Sequence, residues 1–237
     1  GLSGVEASDR GLRIGAMVTY AGLLGSAEVA QRAPLLRLAA GAVTGGWSIR
    51  NQGTIGGAVA AARPQSDLPA ALVACDAVAV VRGPEGERQV AVQALLAGAM
   101  RTTLSADELL CAFELPAHEG ARPGYHKLKR GASSWPIATA AALVTRVGER
   151  CTSARLALGA VAATPTVVDI SAELVGAAVT AATLASAARA AAAAVTEPWE
   201  DELAPAEYRA AVAEPVARRA LEMAFGVGAD GTVSACD

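Results

Sequence analysis

Two strand-like runs, IATAAALVTRV (137–147) and TSARLALGAVA (152–162), follow one another around the GER turn (148–150), with Cys151 between that turn and the second run. Apolar runs of this length joined by a short polar turn predict neighbouring antiparallel strands. A sheet built this way must bury a face, and the tail from about Ser171 supplies helices to cover it. In that tail, PAEYRAAVAEPVARRALEMAF sets Tyr208, Val212 and Val216 at i, i+4 and i+8, one helical face, with a kink expected at Pro215.

The first half alternates differently. GLRIGAMVT (11–19) has the β-branched residues and glycine edge of a short strand. YAGLLGSAEVAQRAPLLRLAAGAV reads as two short helices, the second opened by Pro34 and stopped by Gly45 and Gly46. RNQGTIGGAVAAARPQSD (50–67) reads as loop and irregular strand, with Ser66 and Asp67 as an N-cap before LPAALVACD and Pro69 in its first turn. AVAVV (77–81) and RQVAV (88–92) flank RGPEGE as a hairpin. QALLAGAM is a brief helix, and ADELLCAFELP is a strand ended by Pro116. AHEGARPG (117–124), polar and rich in Gly and Pro, is the expected linker, dividing residues 1–117 from 118–237. The chain as a whole reads as α+β, an α/β half before an α+β half.

Composition removes several function classes. The formal charge of −3 and the 3% aromatic content argue against a nucleic-acid protein, which carries a basic stripe and stacking platforms. The four cysteines, Cys75, Cys111, Cys151 and Cys236, form no CxxC, and only His118 and His126 are available to join them. A metal site or disulfide framework is therefore not expected; reduced, mostly buried thiols of a cytoplasmic protein are. GLSGVEASDRG lacks the basic start and apolar stretch of a leader. LVGAAVTAATLASAARAAAAAV (174–195) is mostly alanine, which gains little from lipid, so it reads as a packed helix rather than a membrane span.

Catalytic constellations are scarce, and no catalytic residue is assigned. There is no GxSxG elbow, and His126 reads as a solvated strand residue rather than a general base. Asp107 and Glu108 are adjacent, so on a strand they point to opposite faces; they charge the start of a strand or turn.

The glycine pair Gly56–Gly57 is more informative. Without Cβ atoms, its backbone N–H groups can approach an anion, and Thr54 adds a hydroxyl. Asp67 offers a carboxylate to sugar hydroxyls. On the residues alone two readings stand: half of a nucleotide cradle, or a tight turn with Asp67 merely capping a helix.

RNQGTIGGAVAAARPQSDLPAALVACDA resembles the second flavin-binding segment of the FAD subunits of molybdenum hydroxylases, the carbon monoxide dehydrogenase and xanthine dehydrogenase family. LRIGAMVTYAGL, GYHKLKRGASSWPIATAAA, ARLALGAVAATPTVV and PAEYRAAVAEPVARRAL resemble the segments on either side, from about Leu12 to Phe225. The resemblance implies a PCMH-type FAD-binding domain followed by an α+β domain with antiparallel strands and a helical tail. It implies FAD as cofactor, with Thr54, Ile55, Gly56, Gly57 and Ala58 around the pyrophosphate and Asp67 on a sugar-side hydroxyl. It sets Leu109 or Leu110 beside the flavin or adenine, Lys127 by the flavin ring and Trp135 near the isoalloxazine, a packed core tryptophan being the plainer account of Trp135. Lys129 and Arg130 read as solvated or interface charges.

The same resemblance implies an electron-transfer subunit with a molybdopterin-binding large subunit and a [2Fe–2S] small subunit, as a dimer of heterotrimers. Departures are visible at Ala58, Ala61 and Arg63, where relatives often carry polar or acidic side chains. The family also begins with a lobe whose AGG-S/T loop holds the other side of the pyrophosphate, and nothing before Leu12 matches it, so this lobe is expected to be missing. A scaffold subunit with weakened flavin binding is the alternative expectation.

Overall fold

The computed structural model describes residues 1–9, 11–118, 120–147 and 150–227. The elements of the first half are β1 (Val5–Ser8), β2 (Gly11–Gly15), α1 (Tyr20–Gly25), α2 (Ala27–Arg32), α3 (Pro34–Ala42), α4 (Gly46–Gln52), α5 (Ile55–Ala60) and α6 (Asp67–Ala74). Then come β3 (Val78–Gly83), β4 (Gly86–Ala91), α7 (Val92–Leu95), β5 (Leu96–Gly98), β6 (Arg101–Thr102) and β7 (Leu109–Pro116). The remainder is β8 (Arg122–Lys129), β9 (Pro136–Val147), β10 (Arg150–Gly159), β11 (Thr166–Asp169), α8 (Ser171–Leu174), α9 (Ala181–Ala193) and α10 (Ala206–Phe225).

The strands form a five-stranded sheet, β1-β2-β7-β3-β4, and a four-stranded sheet, β11-β10-β9-β8, with a small β5-β6 pair. Every strand pair in the two larger sheets is antiparallel. The helices α3 and α6 lie against the four-stranded sheet on one side, and α10 lies against it on the other. Residue alternation along β9 shows how this works. Ala141 and Leu143 join the core that also holds α3, α6 and the five-stranded sheet. Ala138, Ala140, Ala142 and Val144 join a second core with α9 and α10. A strand buried on both faces reads as a continuous apolar run, which is what 137–147 is. Helix α6 is buried at all eight positions for the same reason: it is apolar on every side and enclosed by neighbours.

Several sequence expectations change. The RNQGTIGG stretch is not loop and irregular strand but two short helices, α4 and α5, meeting at Gly53–Thr54. The 20–43 segment holds three helices rather than two; Thr19 and Ser26 each cap a new one, through bonds from Gly22 N and Val29 N. QALLAGAM divides between α7 and β5. Strand β8 already begins at Arg122, inside the expected linker. Helix α10 runs through Pro215, and its buried face starts at Arg209, with Tyr208 exposed. Part of the GER turn and Cys236 lie outside the described residues. No helix among the described residues is long and apolar enough to cross a membrane.

Alanine and glycine dominate the contact of β8 with α10 because the backbones nearly touch. A Cβ on Gly124 would lie 1.9 Å from the Ala220 carbonyl oxygen and 2.8 Å from the Ala224 nitrogen. Both are backbone atoms of a packed helix, so the helix itself has to move. Gly124→Ala is therefore expected to destabilise the protein by about 3 kcal/mol, ~6–12 °C in Tm, read by thermal unfolding. A Tm within a degree of the parent contradicts this packing.

Arg209 is a charged residue with no exposed surface. From α10 it donates to the carbonyls of Ile137 and Ala160 and to the Asp201 carboxylate. Burial pushes the Asp201 carboxyl up, but donors from Leu203 N, Gln65, Arg209 and Trp199 outweigh it and hold it below the usual carboxylate range. A depressed folded-state pKa contributes stability above the unfolded value, about 3.9, that is lost as pH falls through the folded one. Thermal unfolding between pH 5 and 2 is expected to show Tm falling below pH ~4, less steeply in Asp201→Asn than in the parent. Equal slopes rule out this source of the acid dependence.

Candidate functional site

The segment from Gly41 to Arg50 and the turn between β8 and β9 face each other across a groove. One lobe, of about 590 Å³, is lined by the Gly41–Gly46 backbone, Arg50, Lys127, Lys129 and Ser133. A second lobe of about 280 Å³ is more apolar and is lined by Tyr20, Ile49, Ser66, Asp67 and Trp135. The lobes share Val43, Thr44, Gly45 and Ser133. At the pinch between them, Thr44 Oγ1 lies 3.4 Å from the Ser134 carbonyl oxygen.

Asp67 stands at the inner wall. It opens α6, but its carboxylate does not cap the helix. Oδ1 accepts from the Tyr125 hydroxyl at 2.6 Å, and Oδ2 accepts from Lys127 Nζ at 2.9 Å. Ser66 occupies the cap position without a side-chain cap bond. Both members of the ion pair are buried, the side chains being 3% and 7% exposed. Lys127 also donates to the Ala42 carbonyl at the end of α3. Tyr125 and Lys127 are two residues apart on β8, so the strand's alternation aims both at the same face. Burial, then the Asp67 charge, pushes the Tyr125 phenol well above its ordinary value, which keeps its proton for Asp67. Tyr20, in the second lobe, is raised for the same two reasons.

The glycine pair presents a different picture from an open nest. Ile55 N–H donates to Val18 O, Gly56 N–H to Ala16 O, Gly57 N–H to Thr54 Oγ1 and Ala58 N–H to Thr54 O. Gly56 is a glycine because a Cβ there would lie 2.6 Å from Ala16 Cβ and from its carbonyl oxygen. Close approach of α5 to the end of β2 demands it. Thr54 is the N-cap of α5 and bridges to Thr19.

The remaining expected residues are spread more widely. Trp135 is 49% exposed and lines the groove, rather than packing in the core. Leu110 is buried in the core and Leu109 is 58% exposed, both on β7. Lys129 Nζ donates to Ala132 O, and both Lys129 and Arg130 are exposed. His126 is half-buried on β8, its pKa lowered by burial first and then by Arg219 of α10. Sequence reasoning missed Tyr20, Arg50 and Tyr125. For Tyr125 a signal existed, its shared strand face with Lys127; for Arg50 and Tyr20 none did.

This donor set fits a flavin dinucleotide. The groove offers two lysine ammonium groups and hydroxyls at Thr44 and Ser133. Arg50 Nε, at its edge, is buried without a hydrogen-bond partner. Cations and hydroxyls suit phosphate and sugar oxygens, and the half-exposed Trp135 ring and Ile49 suit an aromatic ring system.

Comparison with known proteins agrees. Residues 1–118 match the family described as the FAD binding domain in molybdopterin dehydrogenase, and residues 124–224 match the CO dehydrogenase flavoprotein C-terminal domain. The carbon monoxide dehydrogenase medium chain of Afipia carboxidovorans is 36% identical over 225 residues, 94% of this chain and 77% of that one. A solved carbon monoxide dehydrogenase from Hydrogenophaga pseudoflava superposes with a TM-score of 0.88 at 35% identity, over 95% of this chain and 78% of that one. Quinoline 2-oxidoreductase from Pseudomonas putida 86 superposes with a TM-score of 0.87 at 29% identity, over 95% of this chain and 79% of that one. Fold, groove and sequence together make this chain a member of the family of FAD-binding medium chains of carbon monoxide dehydrogenase-type molybdenum-containing dehydrogenases.

Proposed function

We propose that this chain is the electron-transferring flavoprotein subunit of a molybdenum hydroxylase-type complex. In this reading a molybdopterin-binding large subunit and an iron–sulfur small subunit are its partners, in a dimer of heterotrimers, and electrons leave through this chain to an external acceptor. When bound, FAD supplies the electron exchange between the iron–sulfur clusters and that acceptor. The observation that carries the reading is the groove itself, with the Asp67–Lys127 pair at its wall and the Trp135 ring at its mouth.

The chain's own residues have separable tasks in this reading. Lys127 keeps a positive charge at the groove wall, and the Asp67 carboxylate holds that charge in place. Asp67 has both oxygens engaged by Tyr125 and Lys127, so any sugar hydroxyl it receives shares an oxygen with one of them. Thr54, Ile55, Gly56, Gly57 and Ala58 shape the turn beside the pyrophosphate; the amides from Ile55 to Ala58 already have acceptors, so the lysines and Arg50 supply the countercharge. Trp135 covers a ring face and excludes water. Leu109 or Leu110 is assigned an apolar contact with the cofactor at the end of β7.

The competing reading, a scaffold subunit that carries no flavin, draws on those same satisfied amides and on the apolar Ala58. A visible spectrum of the full-length gene product decides between them. Flavin bands near equimolar stoichiometry are expected; a colourless, folded protein sinks the flavoprotein reading.

Lys127→Ala should lower the flavin midpoint potential or the occupancy, because a positive charge leaves the ring's surroundings. It should also cost about 3–5 kcal/mol of stability, since Asp67 is left buried and uncompensated. Lys127→Ala combined with Asp67→Asn should recover part of that stability and, by removing the opposing negative charge, part of the potential. An unchanged spectrum and potential in both variants would remove Lys127 from the flavin site.

A further inference from the structure

The EYR of the closing helix, Glu207–Arg209, has no place in the groove, yet its arginine is the largest fully buried side chain among the described residues. A buried guanidinium is expensive unless acceptors meet it, and Arg209 meets three through its two terminal nitrogens while its Nε has none. Its partners are informative by their position in the chain. Arg209 donates to the carbonyl of Ile137, which lies two residues beyond Trp135. It also donates to Asp201 Oδ1. The other oxygen of that carboxylate, Oδ2, accepts from Gln65 Nε2 at 2.5 Å, and Gln65 lies two residues before Asp67. Asp201 is itself fixed, with Leu203 N and Ala204 N on Oδ1 and Trp199 Nε1 on Oδ2.

The two ends of this chain of bonds are therefore the two walls of the apolar lobe. One wall carries Ser66 and Asp67, and the facing wall carries Ser133 and Trp135. None of Gln65, Asp201 and Arg209 lines either lobe. We infer that Gln65, Asp201 and Arg209 are positioning residues: a partly buried clasp outside the groove that holds its Asp67 wall and its Trp135 wall at a fixed separation, and thereby sets affinity for the dinucleotide. The inference rests on the flavoprotein reading for its ligand, but the clasp itself stands on geometry alone.

Gln65 is the place to cut. Gln65→Leu removes the link to the Asp67 wall and leaves the Arg209–Asp201 pair intact, so the fold survives. Arg209→Lys keeps the buried charge but has a single nitrogen in place of a guanidinium fork, and so cannot reproduce the bonds to Asp201 and to both carbonyls. Two measurements on the full-length product separate the possibilities. The first is FAD affinity, by quenching of flavin fluorescence on titration of the protein depleted of flavin. The second is amide hydrogen exchange of the flavin-free protein, followed by mass spectrometry.

Gln65→Leu should weaken FAD at least tenfold while Tm stays within a few degrees of the parent. In the flavin-free protein, segments 63–68 and 133–138 should lose protection together, and the β1–β2 hairpin should not. An affinity within twofold of the parent overturns the affinity claim. Loss of protection in 63–68 alone, with 133–138 unchanged in both variants, overturns the clasp. If the parent itself binds no FAD, the flavoprotein reading fails, while the exchange experiment still decides the clasp.

Discussion

A carboxylate taken out of water must be met by charge and hydrogen bonds, and around Asp67 that requirement organises the middle of the molecule. Asp67 begins a helix with no exposed position, and its carboxylate, at the groove wall, is met by protein donors. The answer comes from β8, a strand far along the chain, through Tyr125 and Lys127. Because Lys127 also binds the end of α3, one ammonium fastens α3, α6 and the second sheet at a single point. Replacing such a pair with apolar groups is often no less stable, so what the pair contributes is placement of charge rather than strength. The groove opens at that point, and its floor is as rigid as the pair.

Much of the fold was legible because it follows from periods. The hairpin of β3 and β4, strand β7 and the two long strands β9 and β10 fall where alternation and turn residues place them. The alanine tract folds as α9, burying Leu184, Ala187, Ala188 and Ala191 along one stripe. The misreadings have physical causes. Glycine, asparagine and threonine are poor helix formers, so the stretch around TIGG looked like loop; tertiary contact overrides that preference, since α5 needs its glycine to reach Ala16. The Tyr208–Val212–Val216 spacing set the expected face of α10 one residue off at its start, where Arg209 is buried and Tyr208 is exposed.

The site was legible only in part. Its residues could be nominated from the resemblance, and Lys127, Asp67 and Trp135 do meet at one groove. Their pairing could not be seen, because Asp67 and Lys127 are separated by sixty positions and nothing local announces the contact. Glycines suggested open amides, but each amide from Ile55 to Ala58 has an acceptor nearby. The number of free donors is a property of the folded neighbourhood rather than of a motif.

Strand β8 has one further consequence. Its odd members, Tyr125 and Lys127, turn to the groove, while Gly124 touches the backbone of α10 and His126 feels the charges of Arg219 and Glu222 there. The strand is a membrane of one residue's thickness between an outer helix and the inner chemistry. Because Gly124 leaves no gap to the α10 backbone, a bulkier residue on that side of α10 has to displace β8, and Lys127 with it. Two homologues with identical groove residues can then differ in the placement of their lysine, the difference having been written on the far side of the sheet.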